Sequence, residues 1–176
     1  MMEFDEVVRR EAAGQVLVGV DRTFARRFYT GVPLRQIEER TGEGPYFEKM
    51  VIYLAFFGGP LALLASLFLS IWILGWWSAL LIPVAVVVWI GFHANSARGA
   101  ARIHFTSLIL ISCVLALVFS GGPNRERWGL ALTYTTALWL SRLLYASATS
   151  FLRAFALRNR LAWEWIQEHL IVREVH

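Results

Sequence analysis

The sequence predicts an all-α fold: a polytopic integral membrane protein built as a four-helix transmembrane bundle, with cytoplasmic N-terminal helices and a C-terminal amphipathic helix. Three observations lead there. Hydrophobic residues make up 57% of the 176 positions and the mean hydropathy is +0.51, more apolar surface than a soluble domain of this length can hide. Between Lys49 and Glu164 the only acidic residue is Glu126. The basic residues are distributed unevenly about the apolar runs, as membrane proteins distribute them.

Residues 1–50 are polar and charged, with no secretory signal pattern, so the first membrane helix is expected to act as the targeting signal. Within them DRTFARRFY reads as a helix, with Phe24 and Phe28 on one face and Arg22 and Arg26 on another. PLRQIEERT reads as a second, opened by Pro33 and stopped by Gly42. The run PLRQIEERTGEGPYFEKMV loosely echoes a helix-turn-helix. Its second helix would merge with a membrane span, though, and two glutamates flank Arg40, so no nucleic-acid partner is expected.

Residues 51–149 hold four apolar segments, at about 51–75, 77–93, 103–120 and 128–149. A hydrocarbon core of about 30 Å takes around 20 helical residues, so the second and third are short spans and the first is long. Connections are tight: Gly75-Trp76, then HANSARGAAR, then GGPNRER, which implies antiparallel neighbours. Gly-Gly-Pro occurs twice, at 58–60 and 121–123. The second copy precedes NRER and reads as a helix stop. At the first copy, Gly58, Gly59 and Pro60 either kink one continuous helix or mark where the span opens, with YFEKMVIYLAFF lying along the surface. The kinked helix is preferred, because seven bilayer-compatible residues precede the glycines.

Residues 150–176 read as an amphipathic helix. Arg153, Arg160, Glu164 and Gln167 form one stripe, and Leu152, Phe155, Trp163, Ile166 and Leu170 form the other side. It either lies in the membrane interface or packs on residues 1–50. Orientation follows from the arginines: with the N-terminus inside, only Arg125 and Arg127 of the 17 basic residues fall outside. The expected location is a bacterial plasma membrane with both termini cytoplasmic.

The same residues restrict the chemistry. No Asp or Glu lies within the spans, which argues against proton relays, cation sites and magnesium-dependent lipid enzymes. The lone Cys113 excludes CxxC motifs, and no GxSxG or HExxH is present. No enzymatic activity is expected, and no cofactor. His93 and His104 bracket the middle loop and are the one pair that could hold a haem or pigment. Arg98, Arg102, Arg142, Arg153, Arg158 and Arg160 are the candidate contacts for lipid headgroups or anions; Arg142, the one charge inside a span, is read as snorkelling to the interface. Thr133, Thr135, Thr136 and Ser141 either satisfy backbone carbonyls, bond a neighbouring helix or line a narrow path. The leading expectation is a non-catalytic membrane subunit, an accessory, scaffold or assembly component. It would bind anionic headgroups and either other membrane proteins or copies of itself. The alternatives are a small oligomeric channel or transporter for anions or neutral solutes, and a haem or pigment protein ligated by His93 and His104.

Overall fold

The computed structural model describes residues 3–98 and 103–175, except the side chains of residues 103 and 123. The chain is mostly helical and divides into two compact units, one of Met1–Ile52 with Tyr145–His176 and one of Tyr53–Leu144. The division falls inside two long helices.

The first unit opens with α1 (Phe4–Ala12), which ends in a turn where Gly14 takes φ +70. β1 (Val16–Val20) follows, then α2 (Arg22–Gly31), whose first turn is capped by Asp21 accepting from the Phe24 N–H at 2.6 Å. α3 (Leu34–Thr41) starts just after Pro33 and stops at Gly42, held at φ +74 where only glycine is unstrained. Both helices lie where the local signals place them.

The C-terminal end differs from expectation. The helix that begins at Pro123 runs to Arg158, and a separate α-helix covers Arg160–Ile166. Between them Asn159 leaves the helical region, caps the new helix by accepting from Ala162 N–H at 3.0 Å, and donates to the Thr41 carbonyl at 2.8 Å. A short 3-10 turn then leads to a second strand, Leu170–Glu174. This strand pairs antiparallel with β1, Val16 opposite Glu174 and Val20 opposite Leu170. The amphipathic helix expected over 150–176 is therefore broken, and its last residues are strand. Pairing with Val16–Val20 satisfies their backbone, which a further helical turn would have left at a free end.

The expected apolar face is nonetheless buried. Leu152, Phe155, Trp163 and Ile166 join Val7, Val16, Val18, Phe28, Tyr29 and Ile37 in the core of this unit. Phe4 packs on Trp163 at 5.8 Å and Phe28 on Trp165 at 5.3 Å. Of the two placements open for 150–176, the structure has the one in which it packs on the N-terminal segment.

Tyr29 is fully buried in this core, and its hydroxyl has no hydrogen-bond partner among the described residues. Burial pushes its acidity to higher pH, Glu48 adds to the shift and Arg158 opposes it. The unfolded chain therefore loses this proton first. The contribution of Tyr29 is fully present below about pH 10 and falls away above it. Tyr29→Phe should remove that part of the alkaline destabilisation and cost little at neutral pH, which pH-dependent thermal unfolding of the pair will show.

In the second unit α4 (Tyr46–Leu74) is one continuous helix with Pro60 inside it, so Gly58-Gly59-Pro60 lies within a helix and does not open one. Proline has no N–H, so the Phe56 carbonyl loses its ladder partner. Gly75, at φ +80, breaks the chain before a 3-10 stretch, Trp76–Leu81, which feeds α5 (Ile82–Arg98). HANSAR, expected in the linker, is thus helical. α6 spans Ile103–Phe119. Gly122, at φ +60, reverses the chain, and α7 (Pro123–Arg158) begins at the proline, so NRER forms its first turn and not a loop. The shorter helix Arg160–Ile166 is α8 and the strand Leu170–Glu174 is β2.

α7 touches each of the other three helices. A Cβ on Gly58 would meet Leu140 at 3.1 Å, and one on Gly59 would find Ala137, Leu140 and Ser141 at 3.8–3.9 Å. Tyr134 donates to the Ala85 carbonyl on α5 at 2.9 Å, and Trp139 Nε1 donates to Ser107 on α6 at 2.9 Å. A methyl fits at Gly59. Gly59→Ala should therefore raise stability by about 0.5–1 kcal/mol through helix propensity, whereas Gly59→Leu should lower it by about 1–3 kcal/mol. Thermal unfolding in detergent reads both signs.

Two stretches among the described residues are long and apolar enough to cross a membrane: Tyr46–Leu74 and Trp76–Arg98. Only 22% and 6% of their most apolar windows are buried within the protein, so neither is hidden in the chain's own core. His104–Phe119 is a shorter apolar helix. These features point to membrane localisation.

Candidate functional site

The first Gly-Gly-Pro lines a groove of about 370 Å³ in the second unit. α4 contributes Phe56, Phe57, Gly59 and Pro60; α5 contributes Trp89 and His93; α7 contributes Ser141 and Leu144. At Gly59 α4 passes the Ala137–Ser141 turn of α7 with room for a methyl but not for a large side chain, which leaves the floor of the groove open. One turn of helix separates Trp89 from His93, and their rings stack at 5.4 Å with an interplanar angle of 29°.

The walls are largely apolar, with a few polar atoms. Ser141 donates to the Ala137 carbonyl at 3.0 Å and keeps its lone pairs. Trp89 Nε1 is buried without a hydrogen-bond partner among the described residues. Arg142, next to Ser141, lays its guanidinium over the Phe92 ring at 4.2 Å. Such a groove can hold an apolar molecule and orient it by one acceptor. Its lining holds no carboxylate; its titratable or hydroxyl side chains are His93 and Ser141.

The predicted residues separate into those brought together and those left apart. Gly59, Pro60 and His93 share the groove, with Arg142 at its side. His104 is exposed, and no group of three or more His, Cys, Asp or Glu suited to a metal occurs among the described residues. Arg98 is exposed at the end of α5, and Arg102 lies outside the described residues. Arg153 pairs with Glu11, Arg158 with Glu43 at 3.1 Å and Arg160 with Glu164 at 3.0 Å. Carboxylates of the first unit thus engage three arginines read as lipid contacts. Trp89 escaped the sequence reading as a groove residue, and Ser141 entered it only as one of four hydroxyls on the fourth apolar segment. Trp89 had a usable signal, since it sits one turn before His93.

A second groove, of about 310 Å³, lies between the other halves of α4, α5 and α7, with Ser66, Ser70, Tyr134 and Arg127 on its walls. The Tyr134 hydroxyl reaches α5, but several serine and threonine hydroxyls there and on α7 turn into their own helices. Ser66 donates to Leu63 at 2.7 Å, Thr133 to Leu130 at 2.9 Å and Thr136 to Leu132 at 2.8 Å.

The fold and these grooves define a mostly helical protein with apolar helices on its surface and a small, charged, closed unit formed by its two ends. Comparison with protein-family models, with curated proteins and with solved structures finds no match.

Proposed function

We propose that the chain is a non-catalytic integral membrane subunit, a four-span bundle that serves as an accessory, scaffold or assembly component. One observation carries this reading most of the way: the second unit presents its large apolar side chains outward. Trp72, Trp76, Trp77 and Phe119 are each more than 80% exposed, and Leu61, Phe68, Leu80, Val87, Leu108 and Val118 are exposed beside them. No soluble monomer tolerates a patch of that extent, whereas lipid tails and partner helices cover it readily.

The first unit supports an even number of crossings. β1 and β2 pair, so the N- and C-terminal segments lie on one side of any membrane, and the chain crosses an even number of times. α4 and Trp76–Arg98 supply two crossings. α6, at 17 residues, is about 26 Å long, near the hydrocarbon thickness, and α7 with 36 residues has length to spare. Four crossings return the chain to its starting side. The arginine distribution supports a cytoplasmic location for that side, in a bacterial plasma membrane.

Partner binding then belongs to the apolar bundle faces and to the charged unit, and the partners are other membrane subunits or further copies of the chain. The channel alternative loses support from the Thr133 and Thr136 hydroxyls, which bond within α7. Native mass determination after mild detergent extraction tests the proposal. A stoichiometric membrane partner supports it. A homo-oligomer with a path lined by Thr133, Thr136 and Arg142 transfers the reading to a channel, and a visible absorbance that His93→Ala abolishes transfers it to a haem or pigment protein.

A further inference from the structure

We infer that the pocket between β1, the start of α2 and the end of α7 binds a phosphate group, with the headgroup of an anionic phospholipid as its source. The inference rests on the membrane reading above for that source, though not for the phosphate chemistry. The pocket measures about 240 Å³ and is predominantly polar. Arg22 enters from α2 and Arg153 from α7, and Gly19, Thr149 and Ser150 complete the walls. Two arginines from opposite ends of the chain thus line one cavity. Arginine's planar fork suits tetrahedral oxyanions, and charge-assisted hydrogen bonds are the strong ones.

Glu11 takes part of the Arg153 guanidinium, which has five N–H donors, so others remain for a ligand. The Asp21 carboxylate is engaged in capping α2 through the Phe24 N–H. Thr149 spends its proton on the carbonyls of Tyr145 and Ala146, at 2.9 and 3.0 Å, and so shapes the wall. Ser150 is exposed and supplies the hydroxyl donor. Position agrees with the chemistry, because Thr149 and Ser150 fall where the fourth apolar segment, 128–149, gives way to polar sequence. That is the depth of lipid phosphates, where interfacial arginines meet anionic headgroups.

The test uses the full-length protein in detergent, exposed to an equimolar mixture of phosphatidylglycerol and phosphatidylcholine and examined by native mass spectrometry. A parallel arm adds inorganic phosphate alone and follows Tm. The wild type should retain one phosphatidylglycerol in preference to phosphatidylcholine. Arg22→Gln should bind it about tenfold more weakly, and Arg153→Lys, which keeps the charge and loses the fork, should show an intermediate loss. Arg35→Gln, outside the pocket, should match the wild type. If inorganic phosphate raises the Tm of the wild type and not of Arg22→Gln while the lipids do not discriminate, the phosphate site stands with a soluble source. If a natively folded Arg22→Gln and Arg153→Lys both bind lipid and phosphate as the wild type does, the site is refuted. Alkaline carbonate extraction of the wild type from membranes separates the two claims: release without detergent defeats the membrane reading and leaves the phosphate arm to be judged alone.

Discussion

Val87→Arg is expected to cost about 3 kcal/mol of membrane insertion and to deplete the integrated protein severely. Val87 is 67% exposed on α5, in the stretch least buried by the rest of the protein. On a water-facing surface that substitution would be nearly silent, within about 0.5 kcal/mol. The comparison that isolates the medium is Leu161→Arg on α8, 54% exposed and belonging to the charged unit. There the arginine meets water, with Glu164 one turn away, and expression and extraction behaviour should match the wild type. Quantifying carbonate-resistant protein for both variants reads the difference. Equal, undiminished yields would mean that α5 does not face lipid.

Phe28→Ala carries the second large effect, about 3–5 kcal/mol against the first unit. Phe28 is 2% exposed, meets Trp165 edge-on at 5.3 Å and lies against Tyr29 at 5.4 Å. It therefore joins α2 to α8, elements that come from opposite ends of the chain. A unit this small has little stability to spare. The expected outcome is protease sensitivity in both the N- and C-terminal segments at once, since neither has a core without the other. Arg35→Ala is the contrast. Its exposed pair with Glu39 is worth well under 1 kcal/mol, so its digestion pattern should be that of the wild type.

Much of the architecture could be read locally. Asp21, Pro33 and Gly42 mark α2 and α3, because capping and left-handed stops act over a few residues. The apolar face of 152–166 was also legible from its helical spacing, and those residues are core. What that spacing concealed was the break at Asn159, which caps α8 through the Ala162 N–H and is tied by its amide nitrogen to Thr41 from the other end of the chain. The strands were hidden for a related reason. VLVGV and LIVRE are five-residue runs with no turn to join them, and each needs the other end of the chain to become a strand. The ends of α5 and α7 were masked by polarity: HANSAR and NRER look like loops, yet they complete helical turns there. At the groove, Gly58, Gly59, Pro60 and His93 drew notice by type. That Trp89 and Ser141 stand beside them is a tertiary fact, set by the approach of α4 to α7.

The whole reading rests on one topological statement, that an even number of apolar helices separates two ends that fold together. Cysteine accessibility tests it in intact cells, using a Cys113→Ser background and single cysteines at Gln15, Asn95, Asn124 and Val175 with a membrane-impermeant maleimide. Gln15 and Val175 border the paired strands, Asn95 lies near the end of α5, and Asn124 is in the first turn of α7. The predicted result is labelling of the Asn124 position alone from outside, with the other three reacting only after the membrane is opened. Labelling of the Gln15 and Val175 positions from opposite sides, or of all four from one side, would contradict it.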